Sequence, residues 1–235
     1  MQRQSSDLSC NGDMIPSTKL PAGAPRTAPV VRGRRSARTA LRRPWAIIAV
    51  LATTWLPAPA RAQTIEEKAQ LCAACHGENG IPQDKATPVI WGQYQGYLYL
   101  DLRDYKSGAR KNDIMSPLAQ TLERDDMMAL ALYFSQKRWP DLQQPSAPPD
   151  VAARAIRANA SVGCTGCHQG QYQGEGTQPR LAGQSQEYLR QTMIDFRTRA
   201  RGNNPGMTDL MLATSEDDIA ALAQYMAGLQ YLPGQ

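Results

Sequence analysis

Histidine and cysteine are scarce in this chain of 235 residues, which contains two histidines and five cysteines. Long apolar runs are lacking as well. The run from Trp45 to Leu56 has twelve residues, whereas a bilayer-spanning helix needs about 20. Regular alternation of apolar and polar residues is also missing, which argues against a β fold. The sequence therefore indicates neither a membrane-spanning protein nor a sheet protein, and any metal site must use very few histidines.

The positive charge of the chain is confined to its first segment. The whole chain has a net charge of +5, but residues 1–62 contain ten basic and two acidic side chains, so that residues 63–235 have a net charge of −3. A basic surface is the electrostatic basis of nucleic-acid binding, and the main part of the chain does not have that excess. We therefore expect no nucleic-acid partner.

Residues 1–62 resemble an N-terminal extension followed by a secretory signal peptide. Two arginines, Arg42 and Arg43, precede the apolar run, and a small-residue stretch ends in Ala60-Arg61-Ala62. This order of charge, apolar core and A-x-A site is typical of export signals. It predicts cleavage after Ala62 and a periplasmic location. An uncleaved anchor and twin-arginine export are the alternatives. The fifth cysteine, Cys10, lies in this segment and has no evident partner.

The remaining residues contain an internal repeat. CAACH at Cys72–His76 recurs as CTGCH at Cys164–His168, an offset that also relates Met115 to Met207. A proline-rich stretch separates the two copies and is typical of a semi-rigid linker. The expected organisation is an N-terminal extension and signal peptide over residues 1–62, a first domain over 63–138, a linker over 139–150 and a second domain over 151–235.

Each copy is expected to be helical, so the predicted fold class is all-α. Apolar residues spaced by three and four positions predict a first helix that leads into each CxxCH motif. Middle helices are predicted over about 94–106 and 186–199. The last helices are predicted to begin near the acidic residues at 123–126 and 215–218, because acidic side chains favour the positive end of the helix dipole.

The pattern Cys-x-x-Cys-His is the attachment motif of c-type haem. Both thiols form thioethers to the porphyrin, and the adjacent histidine ligates the iron. A thioredoxin-like cysteine pair and a zinc site are the alternatives, but a cysteine pair needs no histidine, and zinc usually needs four ligands in one place. We therefore expect two covalently bound haem c groups, attached through Cys72, Cys75, Cys164 and Cys167, with His76 and His168 as axial ligands.

The second axial ligand is predicted by elimination. Both histidines are already used, which excludes bis-histidine ligation. Met115 and Met207 are the methionine pair that the repeat relates, because each follows its histidine by 39 residues. Met211 is the competitor in the second copy, where Ala119 is its counterpart. Thioether ligation stabilises ferrous haem and fills the position at which a substrate would bind. The basic residues before these methionines, Arg110 and Arg201 among them, are expected to be solvated helix ends, with haem propionates or a docking patch as alternatives.

Together these motifs resemble the dihaem cytochrome c4 family, in which two tandem class I cytochrome c domains each surround a haem. The resemblance covers residues 65–232 and includes the segments PVIWGQYQGYL from Pro88 and PRLAGQSQEYL from Pro179. It implies that the carbonyls of Pro88 and Pro179 accept the hydrogen bond of the ligating histidines, and that the two haems face each other across a pseudo-twofold interface. Gln169 is a departure, because a glycine follows the first CxxCH.

The resemblance implies a periplasmic electron carrier and no catalytic residues. Single electrons would come from a quinol-oxidising complex or a dehydrogenase and pass to a terminal oxidase or reductase. No small-molecule substrate is expected, and any membrane association would be peripheral, through those partners. One alternative is a dihaem subunit of a periplasmic dehydrogenase, of the flavocytochrome sulfide dehydrogenase or alcohol dehydrogenase type. A haem peroxidase is the other alternative, but it would require an open iron.

Overall fold

The computed structural model describes residues 63–230. The predicted signal peptide, its cleavage site after Ala62, and Cys10 lie outside the described residues. Within residues 63–230 no helix is long and apolar enough to cross a membrane.

Over the described range the regular structure is helical, which confirms the all-α prediction. The described part contains no strand, and its extended pairing is limited to a single bridge between Glu175 and Gln178. The helices of the first half are α1 (Ile65–His76), α2 (Gln95–Ser107), α3 (Met115–Gln120) and α4 (Arg124–Ser135). Those of the second half are α5 (Pro149–Val162), α6 (Cys164–His168), α7 (Gln186–Thr198), α8 (Pro205–Leu212) and α9 (Glu216–Ala227).

Local capping explains where several helices begin. Thr64 and Glu67 form a capping box at the start of α1, in which each side chain satisfies the backbone N–H of the other residue. Ser215 accepts a hydrogen bond from the Asp218 N–H at the start of α9. The predicted first, middle and last helices are all present. The sequence patterns did not predict the short helices α3 and α8, which contain the paired methionines.

Each half builds its own apolar core. In the first half α4 packs on α1 and α2, and in the second half α9 packs on α5 and α7. The first and last helices of each half therefore contact one another. Residues 139–148 between the halves have no regular structure. Within that stretch Gln144 Nε2 donates to the backbone carbonyls of Gln184 and Ala227, at 2.9 and 3.2 Å, which holds this segment on the second half.

Candidate functional site

The first CxxCH motif forms the carboxyl-terminal end of α1. The helix stops at His76, and the Gly77 N–H donates to the Ala73 carbonyl at 2.9 Å. Gly77 has a φ of +85°, and a Cβ at this position would lie 1.9 Å from the carbonyl oxygen of Ile81. Only glycine fits such a turn without moving the backbone. The glycine therefore allows the chain to leave the helix directly after His76.

The second CxxCH motif lies on α6, a single short helix. Gly163, with a φ of +75°, ends α5 and separates the two helices. Asn159 holds this break on both sides, because its carbonyl accepts from the Gly163 N–H and its Oδ1 accepts from the Thr165 N–H, at 2.7 and 3.1 Å. Gln169 follows the motif with a φ of +66° and a ψ of 162°. The backbone thus turns at positive φ after both motifs, even where glycine is missing.

Both histidines are buried and oriented by a proline carbonyl. His76 Nδ1 lies 2.8 Å from the Pro88 carbonyl oxygen, and His168 Nδ1 lies 3.0 Å from that of Pro179. A carbonyl can only accept, so Nδ1 carries the proton and Nε2 keeps its lone pair. Burial lowers the pKa of both imidazoles, although the proline carbonyls act in the opposite direction. Both rings are therefore neutral at pH 7, the state in which imidazole binds a metal.

The cysteines of each motif differ in exposure. Cys72 and Cys164 are half-buried, whereas Cys75 and Cys167 are exposed. Burial raises the pKa of the Cys72 thiol to about 11 and also raises that of Cys164. Cys72 lines a cavity together with side chains of α3 and α4, and Cys164 packs against the apolar core of the second half.

The paired methionines lie in the first turn of equivalent short helices. Asn112 Oδ1 accepts from the Met115 N–H at 2.9 Å, and Asn204 Oδ1 accepts from the Met207 N–H at 3.1 Å. Both methionine side chains are half-buried. Sequence reasoning missed the two asparagines, although they are related by the same 92-residue offset as the methionines.

The competing methionine occupies a different environment. Met211 is 1% exposed and belongs to the core of the second half, and its counterpart Ala119 is 0% exposed. The position four residues after the paired methionine is thus a core position in both halves. Met207, in contrast, has a counterpart in Met115 that is also half-buried and whose N–H also donates to an asparagine three residues earlier.

Two arginines that were expected to be solvated are buried instead. Arg110 and Arg201 are 8% and 7% exposed and both pair with Asp101, at 2.5 and 3.2 Å. Arg110 also donates to the Tyr188 hydroxyl, at 3.1 Å, so that this cluster joins the two halves. Tertiary contacts between the halves cover these side chains. The two guanidinium groups outnumber the single carboxylate that pairs with both of them.

The residues present fit a c-type haem in each half. Each half offers two thiols one helical turn apart, a neutral buried imidazole with a free Nε2, and a methionine thioether in the first turn of a short helix. Soft thioether and imidazole groups are the ligands that haem iron takes in cytochromes c. Among the described residues no cluster of histidine, cysteine and acidic side chains could hold a separate metal ion.

Comparison with known proteins agrees with this reading. The cytochrome c family model matches residues 153–230. Cytochrome c4 of Thiocapsa roseopersicina is 34% identical, with 71% of this chain and 92% of that protein covered. A thiosulfate dehydrogenase electron acceptor of Stutzerimonas stutzeri is also 34% identical, with 68% and 80% covered. The crystal structure of reduced cytochrome c4 from Pseudomonas stutzeri is similar with a TM-score of 0.63 and 28% identity, covering 72% of this chain and all of that one.

The helical fold and the two CxxCH sites define a c-type cytochrome of the dihaem, electron-transferring class. It carries two covalently bound haem c groups. The chain belongs to the cytochrome c4 family.

Proposed function

We propose that one haem is attached at Cys72 and Cys75 with His76 and Met115 as axial ligands, and the other at Cys164 and Cys167 with His168 and Met207. The observation that carries this assignment is the matched pair of histidine contacts. Both rings donate Nδ1–H to a proline carbonyl directly after a CxxC pair, which leaves Nε2 for the iron. Each bound haem supplies a one-electron Fe(III)/Fe(II) couple.

Pro88 and Pro179 fix the orientation of the two imidazoles. Such an acceptor on the second ring nitrogen raises ligand basicity and holds the ring in one orientation. Proline suits the position because its fixed φ limits the movement of the peptide that follows. Burial of the rings keeps water from competing for the iron.

Arg110 and Arg201 receive haem propionates in this proposal. The two buried guanidinium groups share the carboxylate of Asp101, so further negative charge in this region is electrostatically favoured. Haem propionates are anions of the required kind. Tyr97 and Tyr188 belong to the same charged environment. Burial and the Asp101 carboxylate raise the pKa of Tyr97, whereas the Arg110 and Arg201 guanidinium groups outweigh burial and lower the pKa of Tyr188.

The proposed function is single-electron transfer in the periplasm between two redox proteins, after export and cleavage at Ala62. The two haem domains are residues 63–138 and 151–235, joined by residues 139–150. Because a histidine and a methionine fill both axial positions, neither iron has a position for substrate, and the protein itself is not an enzyme. The donor is a quinol-oxidising complex or a dehydrogenase, and the acceptor is a terminal oxidase or reductase.

A second candidate is a dedicated electron acceptor of one periplasmic dehydrogenase. Two relatives bear the name thiosulfate dehydrogenase electron acceptor, from Stutzerimonas stutzeri and Thiomonas intermedia. In addition, Leu71 beside Cys72 and Ile114 beside Met115 are 65% and 66% exposed. Exposed apolar side chains next to the attachment and ligand residues suit a partner interface.

Potentiometric titrations of single variants test the ligand assignment. Met115→Ala and Met207→Ala should each change the visible spectrum and lower the potential of one haem, and leave the other haem unchanged. Met128→Ala is the matched control, because this methionine is exposed on α4. Unchanged spectra in both ligand variants would contradict the assignment.

Size-exclusion chromatography of gently solubilised native extract, followed at the haem absorbance with mass spectrometry of the haem fractions, distinguishes the two functions. A free carrier elutes alone, with two haems attached. A dedicated acceptor elutes with a dehydrogenase in fixed stoichiometry, and the chemistry of that enzyme names its electron source.

A further inference from the structure

Two glutamines cross the boundary between the halves in a reciprocal arrangement. Gln184 Oε1 accepts from the Val89 N–H at 2.8 Å, and its Nε2 donates to the Val89 carbonyl at 3.0 Å. Gln93 makes the same pair of hydrogen bonds with Arg180, at 2.9 and 3.0 Å. Gln184 follows Gln93 by 91 residues, and Arg180 follows Val89 by the same interval. Each half therefore holds one backbone residue of the other half through a side-chain amide.

Both glutamine side chains are held in one orientation. Gln93 and Gln184 are 2% and 3% exposed, so their amides have little access to water. Each Oε1 also accepts from the N–H of the following residue, Tyr94 at 3.0 Å and Ser185 at 2.8 Å. A buried amide whose oxygen and nitrogen both have backbone partners is held in place, because another orientation would leave buried polar atoms without those partners.

Val89 and Arg180, the residues that the glutamines contact, directly follow Pro88 and Pro179, whose carbonyls orient the histidines. The Pro88 carbonyl and the Val89 N–H belong to the same peptide group. His76 Nδ1–H donates to the oxygen of this group, and its N–H donates to Gln184. The Pro179–Arg180 peptide connects His168 to Gln93 in the same way. Each histidine is thus linked through one peptide group to a glutamine of the opposite half.

We propose that Gln93 and Gln184 are positioning residues that lower the redox potential of the haem in the opposite half. Gln184 acts on the haem at His76, and Gln93 acts on the haem at His168. Hydrogen bonds in a chain polarise one another. An acceptor on the peptide N–H makes the proline oxygen a stronger acceptor for Nδ1–H, which makes the imidazole a more basic ligand. A more basic ligand favours ferric iron. Removal of the glutamine amide should therefore raise the potential of the opposite haem. This inference rests on the histidine ligation proposed above.

The variants Gln184→Leu and Gln93→Leu form a matched pair. Each variant removes equivalent hydrogen bonds from the boundary between the halves. If the variants only weakened the packing of the halves, both haem potentials would change alike in both variants. The expected pattern is crossed: Gln184→Leu raises the redox potential of the haem at His76, and Gln93→Leu raises that of the haem at His168. We expect the preference for ferrous over ferric iron to rise about threefold, which equals about 28 mV for a one-electron couple at 59 mV per tenfold change.

Potentiometric titration gives the two potentials, and the Met115→Ala and Met207→Ala variants assign them to the halves. NMR of ¹⁵N-histidine-labelled ferrous protein gives a second measurement, because the chain contains only two histidines. The Nδ1–H resonance of the histidine in the opposite half should move upfield and exchange faster with solvent. Equal shifts of both haems, or a shift confined to the half that contains the mutated residue, would overturn the proposal.

A failure of the ligand assignment has a different signature. In the labelled wild-type protein, imidazoles that do not ligate haem would lack the large ring-current shift of a haem ligand, whatever the glutamine variants do. Should the leucine variants fail to retain haem, Gln184→Glu and Gln93→Glu preserve an acceptor for the peptide N–H. These variants should lower the potential of the opposite haem more than that of their own. An equal effect on both haems would again overturn the proposal.

Discussion

Leucine in place of Met207 or of Met211 removes a thioether at nearly constant side-chain volume. The two variants should nevertheless behave differently. Met211 is 1% exposed in the core of the second half, whereas Met207 is half-buried in the first turn of α8 and matches Met115. The pair of variants therefore separates a packing role from a ligand role at two positions one helical turn apart.

The expected magnitudes follow from these environments. Leucine at Met211 should cost less than about 1.5 kcal/mol, the usual limit for such a swap in a core. For a chain of this size 1 kcal/mol corresponds to about 2–4 °C in Tm, so the Tm should fall by no more than about 6 °C. The potential should not change. Leucine at Met207 removes a ligand that favours ferrous iron, and a tenfold loss of that preference lowers a one-electron potential by about 59 mV. We expect at least this shift.

Potentiometric titration and thermal unfolding of the two holoproteins make the comparison. Met115→Leu serves as the reference, because it should reproduce the Met207→Leu effect in the first haem. Loss of methionine ligation in Met211→Leu, with an unchanged spectrum in Met207→Leu, would refute the reasoning from burial and repeat symmetry.

Three further predictions concern attachment, backbone conformation and pH. Cys75→Ser should leave the first haem attached through Cys72 alone, with one vinyl group unreacted, which a red-shifted haemochrome band of the denatured protein detects; an unchanged band would count against the motif. Gly77→Ala should lower the free energy of unfolding by about 1–3 kcal/mol or more, because φ is +85° and the added Cβ would meet the Ile81 carbonyl. A urea titration that gives wild-type stability would disprove this. The pKa of Asp126 is lowered, chiefly by the hydrogen bond from Lys68. The stability that this carboxylate adds to the folded protein is therefore complete above its unfolded-state pKa of about 3.9, and it is lost as the pH falls through the lower folded-state pKa. Asp126→Asn should therefore cost about 0.2–1 kcal/mol at pH 7 and progressively less as the pH falls below about 3.9, as measured by urea unfolding over this range.

Local chemistry made much of the site predictable from sequence. The two CxxCH motifs require no distant partner for recognition, because the thiols and the histidine proposed to hold one haem lie within five residues. Duplication added the methionine pair, since a shared offset marks equivalent positions even where no contact can be inferred. Helix periodicity and acidic first turns were sufficient for the first, middle and last helices of each half.

Features that depend on contacts between the two halves could not be predicted from the sequence. The sequence patterns suggested that Arg110 and Arg201 are solvated helix ends, and the structure buries both of them around Asp101. Asn112 and Asn204 accept from the N–H of Met115 and Met207 in helices that are too short for periodicity to reveal.

The fold class, the duplication and the haem attachment motifs could be predicted from the amino-acid order, because they follow from local propensity and from spacing along the chain. Packing of the two halves determines which of their surfaces are in contact and which arginines are buried. It also brings Gln93 and Gln184 to the peptide group that contacts the histidine of the opposite half. The physical reason is that these contacts join residues about 90 positions apart. A repeat offset shows that two residues are equivalent, but only the packed chain shows which residues of the opposite half they contact.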